Sequence, residues 1–226
     1  MTVLLLLALA LAFILADYLV QLRQAKSFAP ATTAVRRPVF HSIEELLPRG
    51  VFAASGQLWS SLLPNGEIRL GVSRLMLSAL HSIDAVSLPQ PGQRVKKGEP
   101  ILSLQLGKRT LTLRAPMAGT VTTINRALKE DPQGLYHDIN RAWALALQPD
   151  NLSESVKGMR IGEEAYQWLR SEMARLRDFI ALAVPQQALA PAMQDGGLPA
   201  QGALQALDDA NWSKFVEEFL DRPTQN

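Results

Sequence analysis

Residues 102–115, LSLQLGKRTLTLRA, constrain the fold more than any other stretch of the 226-residue chain. Alternate residues of a strand share a face, so Leu102, Leu104 and Leu106 line one side of a first strand. Leu111, Leu113 and Ala115 form the same pattern on a second strand. The chain must reverse around Gly107-Lys108-Arg109. A two-residue turn at Gly107-Lys108 pairs Leu104 with Leu111 and Leu102 with Leu113. A turn at Lys108-Arg109 pairs Leu106 with Leu111 and Leu104 with Leu113. Both registers keep the leucines against one core. The first suits a type II′ turn better, because that turn takes glycine at its first central position. Either way Lys108 projects from the tip into solvent.

The surrounding chain is organised in blocks. From Val51 to Gln148, short apolar runs alternate with turn signals such as Pro64-Asn65-Gly66, Pro91-Gly92 and Lys97-Gly98, the pattern of a β-rich domain. RLMLSAL (74–80) reads as a short helix within it, and residues 42–47 as a helical turn before Pro48. Residues 161–184 repeat apolar positions at Ala165, Trp168, Leu169, Met173, Leu176, Phe179 and Ile180, which predicts an amphipathic helix with one buried stripe. Residues 185–202 contain three prolines and three glycines and read as a flexible spacer. A last amphipathic helix is expected over residues 203–220. Its polar face is acidic (Asp208, Asp209, Glu217, Glu218), which favours docking on a partner protein or on the chain's own domain over an anionic lipid surface.

At the other end, TVLLLLALALAFILADYLVQL carries one charge, Asp17, between Thr2 and Val20. About 20 helical residues cross the hydrocarbon core, so residues 2–22 are expected to form a transmembrane anchor. No Lys or Arg precedes the run and Ala16-Asp17-Tyr18 makes a poor cleavage site, which argues against a signal peptide. Arg23, Lys26, Arg36 and Arg37 follow it, and that bias predicts a single-pass protein with its bulk in the cytoplasm. The expected layout is an anchor (1–22), a linker (23–47), a β-rich domain with its C-terminal helix (48–184), a spacer (185–202) and a final helix and tail (203–226).

Charge and composition narrow the function. A net charge of +2, with no basic run interleaved with aromatics, lacks the footprint of a nucleic-acid binder. The absence of cysteine excludes disulfides, cysteine zinc sites and a thiol nucleophile. His41, His81 and His137 stand far apart without ligand spacing, so no metal site is expected. No nucleophile–base set is visible, and Gly107-Lys108-Arg109-Thr110 lacks the upstream glycine and strand–loop–helix context of a P-loop. From these residues no catalytic set is expected, and the chain is not read as an enzyme.

The flanks of the hairpin carry a faint repeat. VSLPQPGQRVKKGEPI precedes it and LRAPMAGTVTTIN comes after it. Each contains a Pro-x-x-Gly element, Pro89 to Gly92 and Pro116 to Gly119, with Val95 or Val121 shortly beyond. Two similar β-units joined by a hairpin describe a folded-over, quasi-symmetric barrel.

Over roughly residues 50–175 the chain resembles the lipoyl-domain superfamily, in particular the glycine cleavage H proteins. Residues 65–72 resemble the family's opening strands. Ile83, Val86, Leu88, Pro89 and Gly92 match its Ile-x-x-Val-x-Leu-Pro-x-x-Gly segment, with Val95, Lys97 and Gly98 continuing the match. Ala115, Pro116, Gly119, Val121 and Asn125 match its Ala-Pro-x-x-Gly-x-Val-x-x-x-Asn segment, with Leu128 and Pro132 beyond. Ala142-Trp143 echoes its Gly-Trp strand, and Glu163-Glu164-Ala165-Tyr166 its C-terminal helix. The resemblance implies a mainly β fold with flanking helices: a lipoyl-type barrel-sandwich hybrid, here preceded by the anchor and followed by C-terminal helices. It places Lys108 at the family's lipoyl-lysine position and implies lipoate as a covalent cofactor there. The family motif Glu-Ser-Val-Lys-Ala is replaced by Gln105-Leu106-Gly107-Lys108-Arg109, so the acid three residues before the lysine is absent. The biotin signature Met-Lys-Met is absent as well. The implied function is a membrane-anchored carrier presenting a lipoyl arm on Lys108 to a partner complex. The alternative is a non-lipoylated scaffold that keeps the fold and tethers partners at the membrane, through residues 203–220. A membrane-fusion adaptor is the third reading; the long coiled-coil hairpin of such adaptors is missing.

Overall fold

The computed structural model describes residues 43–48, 50–184, 199 and 201–221. By contact density the chain divides into two units, residues 1–37 and 38–226; the first lies outside the described residues.

The chain order is α1 (Ile43–Leu46), β1 (Phe52–Ala54), β2 (Leu58–Leu62), β3 (Ile68–Val72), α2 (Arg74–Ala79), β4 (Ala85–Ser87), β5 (Arg94–Val95), β6 (Pro100–Leu106), β7 (Arg109–Arg114) and β8 (Gly119–Ile124). After these come α3 (Ala127–Glu130), a 3₁₀ turn (Pro132–Tyr136), β9 (Leu145–Pro149), α4 (Leu152–Lys157), α5 (Gly162–Ala183) and α6 (Asp209–Val216), which ends in a π-helical turn (Glu217–Asp221). Two antiparallel sheets result. One has six strands in the order β1-β2-β3-β9-β8-β5, and the other three in the order β4-β6-β7. Mainly β with flanking helices is thus the observed class.

The alternating leucines form the inner face of the smaller sheet. Leu104, Leu111 and Leu113 have no accessible surface, and Leu102 and Leu106 are nearly as enclosed. Full burial of such side chains contributes about 1.5–3 kcal/mol each. The two Pro-x-x-Gly elements meet side by side at the β5–β8 end of the larger sheet. Gly92 N–H donates to Val121 O at 2.7 Å, Val121 N–H donates to Gln93 O at 2.9 Å, and β5 pairs Val95 with Gly119. Gly92 has φ +86°, a conformation open to glycine at little cost.

Helix α5 buries Ala165, Leu169, Leu176 and Ile180, as its spacing predicts, with Glu163 and Glu164 at the positive end of its dipole. It also buries Glu172, which the apolar pattern did not anticipate. That carboxylate is satisfied by Gln57 Nε2 at 3.2 Å and by Arg175.

Residues beyond the spacer pack on this same domain. Leu204 N–H donates to Ala79 O at 3.2 Å, and Gln205 bridges His81 N–H and Ser82 O. The expected helix over 203–220 is shorter: residues 201–207 form turns, and Asp208 caps a helix that starts at Asp209. Trp212, Phe215, Phe219 and Leu220 are buried, with Phe179 of α5 against Phe215 (6.1 Å between ring centroids) and Phe219 (5.6 Å). Of the two partners the sequence left open for this apolar face, another protein or the chain's own domain, its buried residues pack on the latter.

The membrane localisation expected from the sequence is corrected. Among the described residues no helix is long and apolar enough to cross a membrane. Helix α5 has the length, but it carries Glu163, Arg170, Glu172, Arg175, Arg177 and Asp178. The run at residues 2–22 on which the expectation rested lies outside the described residues.

The loop before β9 contains an Asx turn. Asp138 accepts the backbone N–H of Asn140 at 3.0 Å and its side-chain amide at 2.9 Å. The backbone bond first, then the side-chain bond and the nearby Arg74 and Arg141, hold the Asp138 carboxyl below the usual carboxylate range. A carboxyl depressed in the folded state adds stability above its unfolded pKa, and this is lost as pH falls through the folded value. Melting temperatures of the wild type and Asp138→Ala are expected to differ at about pH 6 and to converge toward about pH 2.

Candidate functional site

The hairpin resolves the two registers open in the sequence. Leu106 pairs with Arg109, Leu104 with Leu111 and Leu102 with Leu113, so the turn is Gly107-Lys108. Gly107 has φ +63° and Lys108 does not share the positive sign, which is the φ pattern of a type II′ turn. Lys108 is exposed, and no described residue hydrogen-bonds or ion-pairs with its Nζ. A Cβ placed on Gly107 would meet nothing within 4 Å, so the space beside that residue is open.

The turn is braced from the side. Gly107 N–H donates to Asp84 Oδ2 at 2.5 Å, and Asp84 N–H donates to Gln105 O at 2.8 Å. Gln105 Nε2 donates to Gly107 O at 2.6 Å, and Thr110 Oγ1 donates to Gln105 Oε1 at 2.9 Å. The sequence pattern had no means of finding Asp84. It enters β4, 23 residues before Gly107, and sequence distance does not report this contact.

On the other side of the tip, Arg109 is held away from Lys108. Its Nη2 reaches Asp209 at 2.8 Å and its guanidinium lies 5.1 Å from the centre of the Trp212 ring. At the far end of β7, Arg114 Nε pairs with Asp221 at 2.7 Å. Arg109 and Arg114 sit at odd and even positions of the strand and so leave it on opposite faces. Both nevertheless reach the C-terminal helix, which therefore runs along the free edge of β7. The distances agree: twelve helical residues rise about 18 Å, and five strand residues about 17 Å. Strand edges are commonly covered in this way.

Of the lysine and the three histidines that the sequence singled out, Lys108 stands at this site. His81 lies on the loop between α2 and β4 and His137 comes directly after the 3₁₀ turn; His41 is outside the described residues. Among the described residues no group of three or more His, Cys, Asp or Glu gathers where it could hold a metal ion. Among the described residues, the tip presents the Lys108 amine without a hydrogen-bond or ion-pair partner.

The family model for the glycine cleavage H-protein matches residues 52–172, from β1 into α5. The chain belongs to the glycine cleavage H-protein family. A probable glycine cleavage system H protein of Pyrococcus abyssi is 28% identical over 128 residues, covering 57% of this chain and 96% of that protein. Glycine cleavage system H protein 2 of Aquifex aeolicus is 30% identical over 120 residues, or 53% of this chain and 74% of that one. The crystal structure of a glycine cleavage system H protein from Mycobacterium marinum superposes with a TM-score of 0.48 at 24% identity, covering 55% of this chain and 99% of that chain. The family match stops short of α6, so the helix along the β7 edge lies beyond the matched residues.

Proposed function

We propose that this H-protein-like domain is a carrier, bearing a lipoyl group in amide linkage to Lys108 Nζ. The observation that carries the reading is the position of Lys108: an exposed amine, unpaired among the described residues, at the tip of a braced two-residue turn. These residues fit the group, since the Lys108 amine is exposed and among the described residues has no hydrogen-bond or ion-pair partner to give up on acylation. Once attached, lipoate supplies a dithiolane for redox and group-transfer chemistry that a chain without cysteine lacks.

The protein's own contribution is presentation. The buried leucines of β6 and β7 make the hairpin rigid, while the side chain of Lys108 remains free to sweep. Arg109 is tied to Asp209 and Trp212, so a single cation projects from the tip. Nothing in this role requires catalysis by the chain itself, and the partner would be a protein that reads the hairpin.

A second reading is a scaffold that keeps the fold without the arm. Gln105, standing where the family motif has an acid, favours it. Intact mass of the protein, produced in cells with working lipoylation enzymes, separates the two. A lipoyl adduct that disappears in Lys108→Arg is the expected result. A wild-type chain recovered wholly unmodified leaves the scaffold reading standing.

A further inference from the structure

A two-residue turn ordinarily leaves the N–H and C=O of its first central residue to solvent. Here both groups of Gly107 are held by side chains: the N–H by Asp84 Oδ2 and the C=O by Gln105 Nε2. Gln105 is fixed in turn by Thr110 Oγ1, and Asp84 by its own backbone bond to Gln105 O. The residue immediately before Lys108 is therefore clamped from two elements, β6 and the entry of β4.

From this geometry we infer that Asp84 and Gln105 are positioning residues for Lys108, holding the turn so that the amine is delivered in one direction. The inference rests on the carrier reading. It also accounts for the departure at position 105. The side chain there must donate to one oxygen, Gly107 O, and accept from another, Thr110 Oγ1, at the same time. An amide does both; an ionised carboxylate only accepts. A glutamate at 105 would set a charged oxygen against the Gly107 carbonyl. The carboxylate of the tip stands at position 84 instead, where it meets an N–H. A hydrogen bond to a charged acceptor is stronger than a neutral one. Asp84 is also exposed, and no described residue takes its Oδ1.

The test uses the full chain, lipoate, ATP and a purified lipoate–protein ligase. In the step monitored, the free amine of Lys108 attacks the acyl carbon of the ligase's lipoyl-adenylate. The amide C–N bond forms, the acyl–phosphate C–O bond breaks, AMP leaves and the amine's proton passes to solvent. Initial rates of mass gain are measured against protein concentration, with hydrogen exchange at the Gly107 amide as a second readout.

Asp84→Ala and Gln105→Ala are expected to lower kcat/KM about tenfold each, as loss of one such bond implies. Asp84→Asn keeps an acceptor for Gly107 N–H and should stay within about threefold of wild type, with Gly107 still protected from exchange. Gln105→Glu restores the family's residue and yet should impair modification as much as Gln105→Ala. Asp84 is exposed and Gln105 half-buried, so melting temperatures of all four variants should hold within a few degrees. Modification of Gln105→Glu at or above the wild-type rate overturns the inference, as does a fully active Asp84→Ala. A wild-type chain that the ligase does not modify overturns the carrier reading and this inference with it; wild-type rates in every variant overturn this inference alone.

Discussion

Phe215→Ala should lower the melting temperature by roughly 6–20 °C. Phe215 has no accessible surface. Its ring lies 5.3 Å from that of Phe219, 5.7 Å from Trp212 and 6.1 Å from Phe179. Truncating a buried phenylalanine costs about 3–5 kcal/mol, the lost transfer energy plus a cavity. A domain of this size loses about 2–4 °C per kcal/mol, on a total stability of about 5–15 kcal/mol. Asp209→Asn is the useful comparison. Asp209 is 99% exposed in its pair with Arg109, and such pairs contribute about 0–1 kcal/mol. Calorimetry should rank the two variants far apart. A Phe215→Ala melt within 2 °C of wild type, on this roughly 2–4 °C per kcal/mol scale, would show that α6 is not part of the cooperative core.

Gly119→Ala should destabilise by about 3 kcal/mol, the upper end of the usual range for overpacking. Gly119 lies in β8, between β5 and β9, paired with Val95 on one side and Pro149 on the other. A Cβ added there would stand 2.4 Å from Gln148 O and 3.0 Å from Pro149 Cα. Those atoms are backbone in a paired strand, so the clash is not relieved by a rotamer change. The strands must separate, and the β8–β9 hydrogen bonds lengthen with them. Gly107→Ala is the contrasting case. It has open space around it but a φ of +63°, so its cost of about 1–2 kcal/mol is conformational. Chemical denaturation of both variants checks the order, and equal midpoints for the two would contradict it.

Much of the site was legible in the residue order because its physics is local. Alternation of leucines marks the faces of β6 and β7 without reference to the rest of the chain, since the strand period is 2. Helices α2 and α5 were legible for the same reason, at their own period. The turn was legible to within one residue. Two registers bury the same leucines, and the choice fell to Gly107 because a glycine accepts the positive φ that a type II′ turn demands.

The contacts that hold the tip were not legible, because they join residues far apart in the chain. Gly107 and Asp84 meet across 23 positions, Arg109 and Asp209 across 100, and Arg114 and Asp221 across 107. An amphipathic helix announces an apolar face but not what covers it. Residues 209–221 could equally have faced a partner, and it is the tilted and edge-on packing against Phe179 that keeps them on their own domain. Glu172 shows the same limit from the other side. A charge inside an apolar stripe is explained once Gln57 and Arg175 are seen beside it.

By itself, then, the sequence determined that two leucine-faced strands meet at a lysine-bearing turn within a family whose order of Pro, Gly and Val elements it keeps. These are short-range periodicities and glycine-specific backbone angles, which each segment imposes alone. The tertiary structure decided the rest: which residue braces Gly107, what lies along the edge of β7 and where the last helix docks. Those outcomes depend on which surfaces are brought together when the sheets close, and that is set by long-range burial instead of by any local pattern.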